Sequence, residues 1–107
     1  MDARKYAICN VAGDGKLFNK NNFHIDKFRI IDMSAGAVRL ETPAILIPGN
    51  EVKLKMRLKS NPIEVHLEIQ GIVTAEIYKG YEIQFLNLPE GVIKEIDELM
   101  RETCNIA

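Results

Sequence analysis

Residues 52 to 70 alternate apolar and polar side chains almost without interruption, and few folds absorb such a pattern. In EVKLKMRLK, Val52, Leu54, Met56 and Leu58 alternate with Lys53, Lys55, Arg57 and Lys59. After Ser60-Asn61-Pro62, the run IEVHLEIQ sets Ile63, Val65, Leu67 and Ile69 against Glu64, His66, Glu68 and Gln70. Period-two alternation places each set on one face of a half-buried strand. Two such runs joined by a short turn predict an antiparallel hairpin. Its outer face sets a basic row against an acidic one, which favours cross-strand pairing, so the basic row is read as structural.

The rest of the chain extends this β pattern and then leaves it. KFRIID alternates only in part, with Phe28, Ile30 and Ile31 apolar, and AVRLET follows as a second short strand. Pro43 and Pro48-Gly49-Asn50 bracket a short apolar segment, and GIVTAEIYKGYEIQFLNL supplies two further strands around Lys79-Gly80. The spacing then becomes helical: Val92, Ile93, Ile96, Leu99 and Met100 share a face of PEGVIKEIDELMRET. Glu90/Lys94 and Asp97/Arg101 stand four apart in the favourable order. Before the strands lies an extended lead-in, residues 1–15, with Tyr6, Ile8 and Val11 as its apolar anchors. Gly13 to Lys16 (GDGK) and Asn19 to Asn22 (NKNN) read as turns. The expected architecture is mainly β: an antiparallel barrel of six or seven strands over residues 16–88, closed by a C-terminal helix over 89–103. At 107 residues the chain has room for one domain.

Charge and composition narrow the function. A formal net charge of −1 argues against a general DNA or RNA binder, whose affinity comes from phosphate neutralisation. No apolar run approaches the ~20 residues of a membrane-spanning helix, and the lead-in has no apolar signal core. A cytoplasmic location without membrane insertion is expected. Cys9 and Cys104, near opposite ends, are expected to be reduced thiols rather than a disulfide. His24 and His66 have no nucleophile beside them and no metal-ligand spacing. An enzyme is therefore not expected, and no cofactor is called for.

One short constellation carries chemistry. Asp32-Met33-Ser34-Ala35-Gly36-Ala37 lies between two strands. As a turn, Asp32 and Ser34 would cap backbone N–H groups and Gly36 would take a positive φ. As a recognition corner, the carboxylate and hydroxyl at i and i+2 would meet the edge of a base.

With these residues in place, the chain resembles the PilZ domain family, the bacterial receptor module for cyclic di-GMP. FRIIDMSAGAVRLE is similar to the family's D/N-x-S-x-x-G motif with its flanking strands. The likeness continues through PGNEVKLKMRL, IQGIVTAEI and GYEIQFLNLPEGVIKEI, covering residues 28 to 102 and, loosely, the lead-in. The family also carries an Arg-x-x-x-Arg segment near its start. The resemblance implies a β-barrel with a C-terminal helix and a ligand site built from Arg4, Asp32, Ser34 and Gly36. Arg4 would grip phosphate and stack on guanine, Asp32 and Ser34 would bond the base, and Gly36 would leave it room. The sequence departs from the pattern twice: Ile8 stands where the second arginine belongs, and Ala37 stands at the closing glycine. Lys16 and Lys20 are candidates to supply the missing charge. The resemblance implies a signalling domain that binds cyclic di-GMP and relays it to a protein partner. The alternative is a degenerate domain that has lost the nucleotide and acts as a protein–protein interaction module in motility or pilus assembly.

Overall fold

The computed structural model describes residues 6–59 and 64–104. Its six strands are β1 (Ala12–Asn19), β2 (His24–Met33), β3 (Ala37–Glu41), β4 (Glu51–Lys59), β5 (Glu64–Ile77) and β6 (Gly80–Leu86), followed by α1 (Glu90–Thr103). The strands close into an antiparallel barrel in the order β1-β2-β3-β6-β5-β4.

The alternating hairpin is built as its pattern requires. Val52, Leu54, Met56 and Leu58 are buried, and Lys55 pairs across the ladder with Glu68, and Lys59 with Glu64. Ion pairs run diagonally on the outer face, from Lys53 to Glu68 at 3.8 Å and from Arg57 to Glu64 at 3.5 Å. The residues of the joining turn, 60–63, lie outside those described. β5 continues unbroken through Gly71 for 14 residues, which fixes the barrel at six strands rather than seven.

GDGK is not a turn. It lies inside β1, which begins at Ala12 within the stretch read as the lead-in. Gly13 and Gly15 occupy inward positions, where side chains of β2 close over them. A Cβ on Gly13 would stand 2.9 Å from Ile30 Cδ1 and 2.7 Å from the Arg57 carbonyl oxygen. On Gly15 it would meet the Phe28 ring. Glycine within a strand often marks such a close approach of neighbours. NKNN is a turn as expected: Asn19 Oδ1 accepts from the Asn21 and Phe23 amides, and Asn22 takes a φ of 68°.

Ahead of β1, the inward residues are Ala7, Cys9 and Val11, all buried. Ile8 is not an anchor; it is 53% exposed, because alternation carries it to the opposite side from Cys9. Cys9 exchanges two backbone hydrogen bonds with Met33, each 2.9 Å, so this segment lies against the end of β2. Helix α1 packs Ile96 and Met100 into the core, with Val92, Ile93 and Leu99 partly buried beside them. Asp97 faces the lead-in: Oδ1 accepts from the Ala7 amide at 2.9 Å and Oδ2 from Arg101 Nε at 2.9 Å.

Cys9 and Cys104 are joined in a disulfide, their Cα atoms 5.9 Å apart, against the expectation of free thiols. The two ends meet because the segment paired with β2 and the C-terminal end of α1 converge on one place. A crosslink spanning 95 residues restricts the unfolded chain strongly. Its reduction is expected to lower the unfolding free energy by about 2–4 kcal/mol in urea titrations. An unchanged midpoint in reductant would show that the crosslink contributes nothing.

Candidate functional site

The corner at residues 32–37 owes its shape to a bulge in β2. Phe28 and Ile30 point into the barrel, and simple alternation would send Asp32 inward as well. The register of β2 on β3 shifts between Ile30 and Asp32, so Ile31 is the extra residue of a β-bulge. Beyond it the phase is inverted. Met33 enters the core, paired with Val38, while Asp32 turns to the outer face opposite Arg39.

Asp32 is the one buried charged residue in the described core, 7% exposed, and it is paired. Arg39 donates from Nε to both carboxylate oxygens, at 2.9 and 3.1 Å, and from a terminal nitrogen to Oδ2. The guanidinium side chain is itself half exposed. The Asp32 carboxylate, through its hydrogen bonds and then its charge, raises the Arg39 pKa above the ordinary arginine value. Glu82 of β6 lies opposite Arg39 and adds to the effect. An outer row therefore crosses three strands as acid, base, acid.

Ser34 closes the turn between β2 and β3. Its amide donates to the Ala37 carbonyl at 2.9 Å, and its Oγ accepts from the Gly36 amide at 3.1 Å. The Ser34 hydroxyl thus caps a backbone N–H as expected, whereas the Asp32 carboxylate is taken up by Arg39 instead. The Gly36 carbonyl accepts from the Phe85 amide at 2.9 Å, which ties the corner to β6. Gly36 does not take the expected positive φ; among the described glycines, Gly49 does.

These groups rim one pocket of about 460 Å³, lined by Ile8, Asp32, Ser34, Gly36, Ala37, Arg39, Glu82 and Gln84. The structure brings together Asp32, Ser34 and Gly36. Arg4 lies outside the described residues. Lys16 and Lys20 do not line the pocket, so neither replaces the missing arginine there. Ile8 and Ala37, the positions expected to depart from the family pattern, also line the pocket. Sequence reasoning missed Arg39. Its signal was an arginine at an outward position of the strand after the motif, legible only once the bulge has fixed the register.

The PilZ domain family model matches residues 5–102 of the chain. Among solved structures, the Bacillus subtilis inhibitor of motility MotI superposes with a TM-score of 0.74 at 13% identity over the whole chain. The chain spans about half of that protein, 54% of its length. The PilZ domain of CeSA from a cellulose-synthesizing bacterium gives 0.63 at 13% identity, covering 89% of this chain and 95% of that one. The PilZ domain of Escherichia coli YcgR, solved with c-di-GMP, gives 0.57 at 16% identity, covering 99% and 100%. No curated protein matches the chain in sequence.

Arg39→Gln leaves the Asp32 carboxylate with fewer donors in a nearly closed site, and should cost about 1–3 kcal/mol of stability in urea unfolding. An unaltered midpoint would mean that Asp32 does not depend on this partner. Arg101 and, less strongly, the Ala7 amide hold the Asp97 carboxyl below its ordinary 3.8. The folded value is the lower one, so the contribution is present above the unfolded value and is lost as pH falls through the depressed one. Wild type should therefore lose its stability advantage over Asp97→Asn as pH drops from about 5 to below 3.8. A difference that persists unchanged at acid pH would contradict the assignment.

Proposed function

The chain belongs to the PilZ domain family, and from that membership we propose that it is a signalling module which binds cyclic di-GMP at the pocket beside Asp32 and relays the event to a protein partner. The observation that carries this reading is the convergence of Asp32, Ser34 and Gly36 on one pocket wall, with Arg39 fixed among them. The volume, about 460 Å³, falls within the range of small-ligand pockets. Each carboxylate oxygen has two lone pairs, so Asp32 keeps acceptor capacity for the N–H edge of a guanine after bonding Arg39. The Ser34 O–H stays available as a donor while its oxygen serves the Gly36 amide. The planar Arg39 guanidinium offers both donors and a face on which a base stacks. Arg4 is assigned to the phosphates by its position in the family motif. In keeping with family membership, these residues bind and signal rather than catalyse.

The relay would run through the lead-in. Ile8 stands on the pocket rim, while its neighbours Ala7 and Cys9 are fastened to Asp97 of α1 and to Met33 of β2. A ligand that displaces Ile8 therefore pulls on the helix. The similarity to an inhibitor of motility supports a protein partner in a motility function.

The second reading, an interaction module without the nucleotide, rests on Ile8 itself. An aliphatic side chain occupies the place of the second arginine, and the pair Asp32–Arg39 is satisfied without a ligand. Losing one charge-assisted phosphate contact costs about 1.5–3 kcal/mol, tenfold or more in affinity.

Calorimetric titration with cyclic di-GMP separates the two. Wild type should bind with a measurable heat, Asp32→Ala should bind at least tenfold more weakly, and Ile8→Arg should bind about tenfold more tightly. Absence of heat in both wild type and Ile8→Arg would sink nucleotide binding and leave the interaction reading standing.

A further inference from the structure

A row of lysines crosses the wall formed by β2, β1, β4 and β5, whose groove shares no lining residue with the pocket beside Asp32. The ladder registers place Lys16 of β1 directly opposite Lys27 of β2 on one side and Lys55 of β4 on the other. Three lysines thus cross three adjacent strands in a single outer row. Side chains directly opposite one another start from Cβ atoms roughly 4.5–5.5 Å apart, and like charges placed so destabilise a sheet.

The neighbouring row shows how this wall handles charge elsewhere. There Asp14 sits between Arg29 and Arg57, one on each flanking strand, and makes an ion pair with Arg57 at 3.1 Å. Arg29 is closed by Glu41 at 2.6 Å. The lysine row has no such acid at its centre. Of the carboxylates bordering it, Asp14 is taken by Arg57, and Glu68, which stands opposite Lys55 at the β5 end of the row, makes its ion pair with Lys53 at 3.8 Å. Lys55 Nζ lies 4.9 Å from the Phe18 ring centroid and makes no ion pair among the described residues. Among the described residues, neither Lys16 nor Lys27 makes an ion pair through its side chain.

The row borders a groove of about 800 Å³ that Asp14, Arg57, His66 and Glu68 also line. Because the barrel is closed, no strand edge is free on this wall for a peptide to extend. Recognition there has to come from side chains. Ammonium groups act as compact point charges suited to phosphate, and three of them in a row match a chain of linked phosphates.

We propose that Lys16, Lys27 and Lys55 form a binding site for a small soluble ligand carrying adjacent phosphate groups, independent of the pocket beside Asp32. The lysine repulsion in the free protein is then the cost of a site that an incoming anion relieves.

Inorganic tripolyphosphate is the probe, titrated into the full chain by calorimetry and thermal melting. Wild type should bind one equivalent saturably and melt at a higher temperature with the probe present. Lys16→Gln should melt higher than wild type in the free state yet show at least a fivefold loss of affinity. The helix variant Lys94→Gln should retain wild-type affinity for the probe. Non-saturable binding, or an equal loss in Lys94→Gln, would reduce the effect to general charge screening and overturn the site. Capture by vesicles containing phosphorylated inositol lipids, with no tripolyphosphate binding, would overturn the soluble ligand in favour of a membrane headgroup.

Discussion

Phe28 and Ile30 face the barrel interior, and so does Met33, an odd number of residues further along the same strand. Only an extra residue reconciles these positions, and the bulge at Ile31 supplies it. Much of the functional geometry depends on that shift. It delivers Met33 to the core and lets Cys9 pair with its backbone. It also turns Asp32 outward, where Arg39 can satisfy a carboxylate that would otherwise be a buried charge without a partner. Without the bulge, the phase set by Phe28 and Ile30 would turn Met33 out of the core and Asp32 into it.

The lead-in is placed by the same strand end. Hydrogen bonds to Met33 hold its backbone, Asp97 holds the Ala7 amide, and the disulfide ties it to the end of α1. Those three attachments set Ile8 at the rim of the pocket. Strand, lead-in and helix are therefore fastened together around one corner of the barrel.

How far the sequence disclosed this depended on whether the signal was local. The β4–β5 hairpin was legible because strict alternation admits one register with the apolar face inside. The α1 face was legible for the analogous reason at helical spacing. The segment at Gly13–Lys16 was misread because glycines have no side chain with which to show a pattern; the closure of Phe28 and Ile30 over them is a tertiary fact. The pairing of Cys9 with Cys104 is open in sequence and is set aside for free thiols because a cytoplasmic location is expected; what the sequence does not show is that the two chain ends converge. At the site, Asp32, Ser34 and Gly36 came from a motif contiguous in sequence. Arg39 did not, because its partnership with Asp32 follows from a register that partial alternation in KFRIID hinted at without fixing.

Amide chemical-shift mapping tests, at the level of residues, whether a ligand enters at the corner made by the bulge. Cyclic di-GMP added to isotopically labelled protein should move the amides of Ser34, Gly36, Ala37 and Arg39, together with that of Phe85, which donates to the Gly36 carbonyl. Amides on the far wall, such as those of Lys55 and Leu67, should stay in place. Shifts confined to that far wall, or none at saturating nucleotide, would show that no ligand enters at the corner.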